Sequence, residues 1–322
     1  MNESDYDFWW PGPAETPSCR WEMIVVPTDV GRVPHPCLVR VRDVEPRLYR
    51  PLEVSGLFLR FADLDATPDG VLDFVSRYGA LGDGLLVRDP ESPADKNMRI
   101  EPLVFWQFHA ARMRALANLW GYASAGDRAA LAEFVRWEGA TVAIRWPAAD
   151  TYFSLFDERV RGTMTWRVEQ YLGPDGTSLV KRGDLILPAQ LFVQRRLDDR
   201  LRNGRASPRL AWSTRHGRPE LVNTPGSLLD ALYLQFAIAT ANPDGGFRIG
   251  RCQRCGKRIE LAPGVNRADR TTCSDSCRAL LYRQRKERAR RLHAEGKKVK
   301  EIAQELGIET AQVKKWVAST KG

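Results

Sequence analysis

Apolar and polar residues alternate in some segments of the chain, which predicts strands, and recur every three to four residues in others, which predicts helices. In the first fifty residues, short apolar stretches such as WEMIVVP and CLVRV are interrupted by prolines, and the second alternates with charged residues as strands do. The same character returns further along the chain. Strands are predicted in TVAIRWP (141–147), TMTWRVEQYL (163–172), SLVKRGDLIL (178–187), PRLAW (208–212) and PELV (219–222).

Helical periodicity marks the segments between these strands. After Thr67, a suitable N-cap, Pro68 opens a segment with apolar residues on one face, and Gly79 is a natural stop. A longer helix is predicted from about Glu101 to about Ala123. Another begins at Asp127 and turns Leu131, Phe134 and Val135 inward, and a further helix covers residues 188–204.

The segment Ser227–Asn242 predicts a helix that is apolar on most sides. This helix could either fill the core of the domain or form the contact of a dimer, and we favour the first interpretation. With 322 residues, the chain is long enough for more than one domain. We therefore predict an α+β protein with a large mixed N-terminal domain.

Positive charge is concentrated at the C-terminal end. The chain carries 49 lysines and arginines against 40 acidic residues, a formal net charge of +9. Residues 245–322 alone hold 20 basic and 8 acidic side chains, so the first 244 residues are slightly acidic. Such asymmetry is typical of a nucleic-acid-binding module attached to a domain with another task, although a solvated basic tail has the same composition.

The segment Asn242-Pro-Asp-Gly-Gly246 is the clearest predicted domain boundary. We predict three segments. These are residues 1–244, a mixed α+β domain that binds a ligand or partner; residues 245–283, a four-cysteine zinc finger; and residues 284–322, a basic helix followed by a helix-turn-helix.

Four cysteines after this boundary have metal-ligand spacing. Cys252 and Cys255 form a CxxC pair, and after 17 intervening residues Cys273 and Cys277 form a CxxxC pair. Four thiolates grouped in this way predict a structural Zn²⁺ in a treble-clef-like finger, with no coordination position left open for catalysis. A redox pair or two disulfides are the less favoured alternatives. Cys19 and Cys37 lack such spacing and are predicted to be ordinary thiols.

The last forty residues have the pattern of a helix-turn-helix. Ala303 is small where two helices would touch, and Gly307 suits the turn between them. Apolar residues complete the pattern at Ile302, Leu306, Ile308, Val313 and Trp316. About 25 residues here resemble bacterial helix-turn-helix regulators, and this resemblance implies that Thr310 to Ser319 form the recognition helix.

Contact with double-stranded DNA is predicted for two groups of side chains, the first from the resemblance and the second from its charge, for which a solvated helix face is the alternative. On the recognition helix, exposed residues would enter the major groove, and the candidates are Thr310, Ala311, Gln312, Lys314 and Lys315. The preceding helix carries cations around most of its circumference, which suits contact with phosphates better than base recognition. These are Arg283, Arg285, Lys286, Arg288, Arg290 and Arg291.

From about Ser227 to Arg291, the apolar helix, the two cysteine pairs and the basic helix resemble bacterial proteins with a CGNR-type (ABATE-type) zinc finger. This chain has Arg278, Ala279 and Leu280 where that family has Gly-Asn-Arg. The resemblance implies a transcription regulator whose N-terminal part senses a small-molecule effector. Regulators with one helix-turn-helix usually act as homodimers, so we expect a dimer.

We expect no enzymatic activity, although residues 1–244 leave that question open. Four histidines lie scattered at positions 35, 109, 216 and 293, and the common nucleotide-binding and hydrolase motifs are absent. The cluster of Asp63, Asp65 and Asp69 could hold Mg²⁺, but a helix start explains it better. A nucleic-acid-processing enzyme and an RNA-binding zinc protein are the alternatives.

Neither a signal peptide nor a spanning segment is visible, which predicts a cytoplasmic protein without membrane contact.

Overall fold

The computed structural model describes most of the chain. It covers residues 10–11, 19–28, 31–41, 47–88, 97–138, 141–147, 163–168, 180–203, 207–213, 218–241, 246–261 and 269–318. The chain divides into two compact units, of which unit 1 comprises Met1–Ile249 and Glu260–Ala268, and unit 2 comprises Gly250–Ile259 and Asp269–Gly322. Most of the predicted linker, residues 242–245, lies outside the described residues.

Unit 1 mixes helices and strands, which confirms the predicted α+β class. Its helices are α1 (Leu57–Ala62), α2 (Pro68–Tyr78), α3 (Leu103–Ala125), α4 (Arg128–Leu131), α5 (Ile186–Asn203) and α6 (Leu228–Thr240), with a 3-10 turn at Pro51–Glu53. Its strands are β1 (Trp10–Pro11), β2 (Cys19–Thr28), β3 (Gly31–Arg40), β4 (Leu48–Tyr49), β5 (Leu85–Arg88), β6 (Asn97–Pro102), β7 (Val135–Glu138), β8 (Thr141–Pro147), β9 (Thr163–Val168), β10 (Ser207–Ser213) and β11 (Arg218–Thr224).

The strands pair with antiparallel neighbours. A four-stranded sheet has the order β2-β3-β6-β5, a three-stranded sheet has the order β7-β8-β9, and β1-β4 and β10-β11 form two-stranded sheets. In the largest sheet, β2 and β3 form a hairpin whose register pairs Cys19 with Arg40 and Thr28 with Gly31. The register of β3 with β6 pairs Leu38 with Glu101.

The core of unit 1 forms around α3 and α6. Trp106 on α3 and Phe236 on α6 are fully buried, and Phe236 stacks on Phe58 of α1 with ring centroids 4.7 Å apart. In α6 an unbroken run from Leu228 to Phe236 is buried, so this helix occupies the core and offers little surface for a dimer contact. None of the described helices combines the length and the apolar character needed to cross a bilayer.

Local signals predicted the ends of several elements correctly. The Thr67 side chain accepts a hydrogen bond from the N–H of Gly70, Pro68 opens α2, and Gly79 ends it with a left-handed φ of 81°. Asp127 caps α4 in the same way, by accepting from the N–H of Ala130.

Three sequence predictions were wrong at element boundaries. The helix after Asp127 ends at Leu131, because Val135 pairs with Ile144 in the hairpin of β7 and β8. Residues 180–185 of the predicted strand SLVKRGDLIL form no strand, Ile186 already begins α5, and residues 178–179 lie outside the described part of the chain. Glu101 lies in β6 and not in the long helix, which starts two residues later.

The carboxyl group of Glu101 binds residues 81–82, which follow α2, to the four-stranded sheet. Its two oxygens accept hydrogen bonds from the backbone N–H groups of Leu81 and Gly82, at 3.1 and 2.5 Å. Its side chain is almost completely buried, and burial raises its pKa to about 7, although the charge of Arg99 and the two hydrogen bonds act in the opposite direction.

Unit 2 contains a hairpin and three helices in its described part. The hairpin strands β12 (Arg248–Arg251) and β13 (Arg258–Leu261) pair with each other, and the division between the units passes through them. The helices are α7 (Asp275–Ala294), α8 (Val299–Leu306) and α9 (Thr310–Ala318).

We expect the stability of unit 1 to fall as pH rises, because of Glu101. An unfolded glutamate loses its proton near pH 4.5, whereas Glu101 in the folded protein keeps its proton up to about pH 7. Between these values the folded state holds the extra proton, so raising the pH lowers the free energy of unfolding, by about 3 kcal/mol over the window. Urea unfolding followed by tryptophan fluorescence, near pH 5 and near pH 7.5, measures this change in the free energy of unfolding. Glu101→Gln cannot titrate, so it should remove the contribution of Glu101 to the change. Parallel pH profiles for variant and wild type would contradict the assignment.

Candidate metal centre and cationic helices

The first cysteine pair lies in the turn between β12 and β13. The backbone N–H of Cys252 donates to the carbonyl of Lys257, and the N–H of Gly256 donates back to the carbonyl of Cys252, both at 2.8 Å. Gly256 has a left-handed φ of 73°, a conformation that residues with a side chain rarely adopt. This tight turn brings Cys252 and Cys255 to one side of the hairpin.

The second pair lies at the start of α7. Ser274 is the N-cap, and its hydroxyl oxygen accepts a hydrogen bond from the N–H of Cys277 at 3.2 Å. Cys273 immediately precedes this cap. The N–H of Gln253 donates to the carbonyl of Thr271 at 2.9 Å, which ties the hairpin turn to the segment before α7. The two pairs are therefore held together by the backbone as well as by the thiols.

The four sulfur atoms have the spacing of a tetrahedral thiolate site. The Sγ atom of Cys273 lies 3.5 Å from those of Cys255 and Cys277, and the Sγ atoms of Cys255 and Cys277 are 3.8 Å apart. All four ligand atoms lie within 4.8 Å of one another. A tetrahedral zinc ion with bonds of about 2.3 Å would place its sulfurs about 3.8 Å apart. The cluster thus has the donor set and the dimensions to hold one metal ion.

Thiols packed this closely cannot all ionise unless a cation compensates their charge. Burial and the neighbouring thiols, first that of Cys277, raise the pKa of Cys273 to about 12. Burial acts in the same direction on Cys252, but backbone N–H donors, first those of Cys255 and Cys273, outweigh it and lower that pKa to about 6. A divalent ion would favour the thiolate form of all four ligands.

Other candidate ligands do not form such a group. Within the described ranges, the four cysteines are the one set of three or more potential ligands close enough to share an ion. Cys19 and Cys37 are buried in unit 1, and none of the six cysteines forms a disulfide. Asp69 lies in the first turn of α2, where a carboxylate complements the helix dipole.

Among the described residues, no histidine belongs to a group of potential metal ligands. His109 is packed in the core of unit 1 between Phe105 and Phe108, with ring centroids 4.4 and 5.0 Å away. Burial and the nearby arginines Arg200 and Arg112 lower its pKa well below the usual value, so it is neutral there. His216 lies outside the described residues.

The three helices of unit 2 share a small apolar core. A residue in left-handed conformation, Gly307, separates α8 from α9 with a φ of 61°, and the N–H of Ile308 donates back to the carbonyl of Ala303. Three residues therefore join the two helices. The buried side chains come from all three helices and are Ala289, Leu292, Ile302, Ala303, Val313 and Trp316.

Trp316 connects α9 to α7 by polar contacts as well. Its indole Nε1 donates to the hydroxyl of Tyr282 at 2.9 Å, and the two rings meet edge to face. Arg290 donates from Nε to the carbonyl of Trp316 at 3.1 Å. The second half of α9 is thus held at one position on α7.

The cations predicted on α7 divide into two groups. Arg285 donates to the side chain of Gln253, Arg288 pairs with Glu305 at 2.7 Å, and Arg291 lies 3.7 Å from Glu295. With Arg290, these residues have partners inside unit 2. Within the described part of the chain, Arg283 and Lys286 have no hydrogen-bond or ion-pair partner.

On α9, side-chain exposure follows the predicted pattern only in part. Ala311, Lys314 and Lys315 are exposed, whereas Thr310 and Gln312 are half-buried. Neither lysine forms an ion pair within the residues that the structure describes. The helix extends to Ala318, and Ser319 lies outside the described residues.

We expect the protein to bind one divalent metal ion at the four cysteines. Titration of the reduced, metal-free protein with Co²⁺ should produce thiolate-to-cobalt absorption that saturates at one equivalent, because four sulfurs surround one point. Cys255→Ser should weaken binding and reduce the thiolate band, whereas Cys19→Ala, which removes a thiol in unit 1, should leave the titration unchanged. Equal titration of Cys255→Ser and wild type would exclude this site.

Comparison with known proteins gives no further information about the cysteines and helices. No family model matches the chain, and neither the curated proteins nor the solved structures contain a match to it.

Proposed function

We propose that this chain is a zinc-stabilised DNA-binding protein that acts as a bacterial transcription regulator. The observation that carries the proposal is the composition of unit 2, which combines a four-thiol cluster and a compact three-helix core with cations that have no partner among the described residues. These are Arg283, Lys286, Lys314 and Lys315. The strong positive charge of residues 245–322 fits the same function, because duplex DNA is a dense array of negative charge.

Zinc is the metal that suits the cluster best. It favours tetrahedral sites of four thiolates, and such sites leave no position for a substrate or water, so its role would be structural. The hairpin and the start of α7 bury few apolar side chains, with Ile259 as one of them. Metal binding would supply folding energy that so small a segment lacks, on the order of 10 kcal/mol. The hairpin followed by a helix supports a treble-clef-like finger.

Helices α8 and α9 support a helix-turn-helix. Their three-residue connection with a left-handed glycine is typical of that motif, and so is a small residue, Ala303, at the contact between the helices. In such a motif α9 enters the major groove. Lys314 and Lys315 would then reach guanine acceptors or phosphates, while the half-buried Thr310 and Gln312 are less available for contact.

The free cations of α7 would bind the DNA backbone. Arg283 and Lys286 have no carboxylate partner in the described residues. Phosphates can therefore pair with them without breaking an ion pair within the protein. By contrast, Arg288 and Arg290 already stabilise the helical core through Glu305 and Trp316. We therefore assign phosphate contact first to Arg283 and Lys286.

The proposal extends to unit 1 and to the oligomer. The resemblance to CGNR-type regulators supports a sensor of a small-molecule effector in the N-terminal part. A homodimer would let two copies of α9 contact two half-sites. Because α6 is buried in the core, the dimer contact would involve another surface.

We expect the zinc-loaded, full-length protein to bind duplex DNA with an affinity that falls steeply with salt. Fluorescence anisotropy at several salt concentrations measures this. If these four cations of each copy in a homodimer contact phosphates, affinity should fall by about ten-thousandfold between 50 and 200 mM salt. Each of Arg283→Ala, Lys286→Ala, Lys314→Ala and Lys315→Ala should weaken binding and lower the slope by about one unit per lost phosphate contact.

The control for these variants is Arg77→Ala. Arg77 is an exposed arginine on α2 of unit 1, paired with Asp73, and its loss should leave DNA affinity unchanged. Absence of binding at low salt, or equal affinity of all four variants and wild type, would contradict the proposal. Stronger competition by structured RNA than by duplex DNA would favour an RNA-binding protein instead.

A further inference from the structure

Unit 1 contains a cavity of about 290 Å³ on one face of its four-stranded sheet. The strand register explains why its lining residues share that face. Arg40 lies opposite Cys19, Leu38 lies opposite Glu101, and directly paired residues point to the same side of a sheet. The opposite wall consists of β1 and residues 79–82.

That opposite wall is rigidly built. The indole Nε1 of Trp10 donates to the carbonyl of Ala80 at 3.0 Å. At Gly82, which has a left-handed φ of 80°, an added Cβ would collide with the Trp10 ring, so only glycine fits there. Glu101 fastens the same segment through the N–H groups of Leu81 and Gly82. The cavity is therefore formed before any ligand enters, which reduces the entropic cost of binding.

The charges that line the cavity favour an anion. Arg99 donates from Nη1 to the carbonyls of Gly82 and Gly84, at 3.1 and 3.4 Å, and keeps its positive charge without an ion pair in the described residues. Arg40 is exposed and also lacks a carboxylate partner there. Glu101 is the acidic residue of the lining, and both of its oxygens are already engaged. Two guanidinium groups thus face one occupied carboxyl group.

The size and the remaining walls limit the ligand further. Trp10, Pro11, Leu38 and Ala80 supply apolar surface. A volume near 300 Å³ is at the lower end of the range for small-molecule sites, so the ligand has about one ring. We propose that this cavity binds a small aromatic carboxylate, whose carboxylate group pairs with Arg40 and Arg99 and whose ring packs against Trp10 and Leu38.

Isothermal titration of the zinc-loaded, full-length protein tests this with three probes. Phenylacetate should bind with a Kd below about 1 mM. Phenylacetamide, which has the same shape without the charge, should bind at least tenfold more weakly, and inorganic phosphate, which has charge without a ring, should also bind at least tenfold more weakly.

Two variants of adjacent strands locate the site. Arg40→Gln should weaken phenylacetate binding at least tenfold. Arg20→Gln should leave it unchanged, because Arg20 follows Cys19 in β2 and therefore points to the other face of the sheet. Both arginines are exposed, so neither change should disturb folding.

Three results would overturn the inference: no saturable binding of phenylacetate up to millimolar concentration, equal binding of the amide or of phosphate, or equal binding by Arg40→Gln. These measurements contain no DNA. Loss of ligand binding and loss of DNA binding can therefore be told apart.

Discussion

The four thiols that converge in a small volume determine the form of unit 2. Two come from a hairpin turn and two from the start of α7, so their convergence fixes the direction in which α7 leaves the hairpin. Without a cation, mutual repulsion would oppose ionisation of thiols 3.5 Å apart. The other end of α7 supplies Ala289 and Leu292 to the three-helix core. One continuous helix thus connects the four-cysteine cluster to the proposed DNA-binding helices.

Internal ion pairs decide which cations unit 2 can offer to a partner. Glu305 accepts from Arg288, which joins α7 to α8, and from Lys297, which lies in the connection between these two helices. Such exposed pairs contribute little to stability, yet each reduces the availability of its cation for a phosphate. A basic segment in a sequence therefore overstates the charge that can contact nucleic acid. The exposed side chains of Lys314 and Lys315 lie on the helix that would enter the groove.

In unit 1, buried and partly buried polar groups hold one segment of the chain in place. The carboxyl group of Glu101 and the ion pairs of Arg200 with Asp83 and Asp230, at 2.6 and 2.7 Å, hold the segment after α2 against the sheet and helices. Because buried polar groups are costly unless they are paired, these contacts favour the observed arrangement of the segment. That segment forms one wall of the cavity, so the same polar contacts shape both the fold and the proposed binding site.

Local chemistry in the sequence determined the features that depend on neighbours along the chain. These include the cap at Thr67, the stop at Gly79, the cysteine pairs and the apolar positions of Ile302, Val313 and Trp316. Only the tertiary structure decided the rest. Periodicity could not show that Val135 pairs with Ile144, since strand partners lie on other parts of the chain. Nor could it show that Glu101 lies in a strand or lines a cavity with Arg99, because the carboxylate finds its partners in a segment about twenty residues away. The spacing of residues in a sequence reveals contacts between neighbours along the chain, whereas contacts between distant residues exist only after the chain has folded.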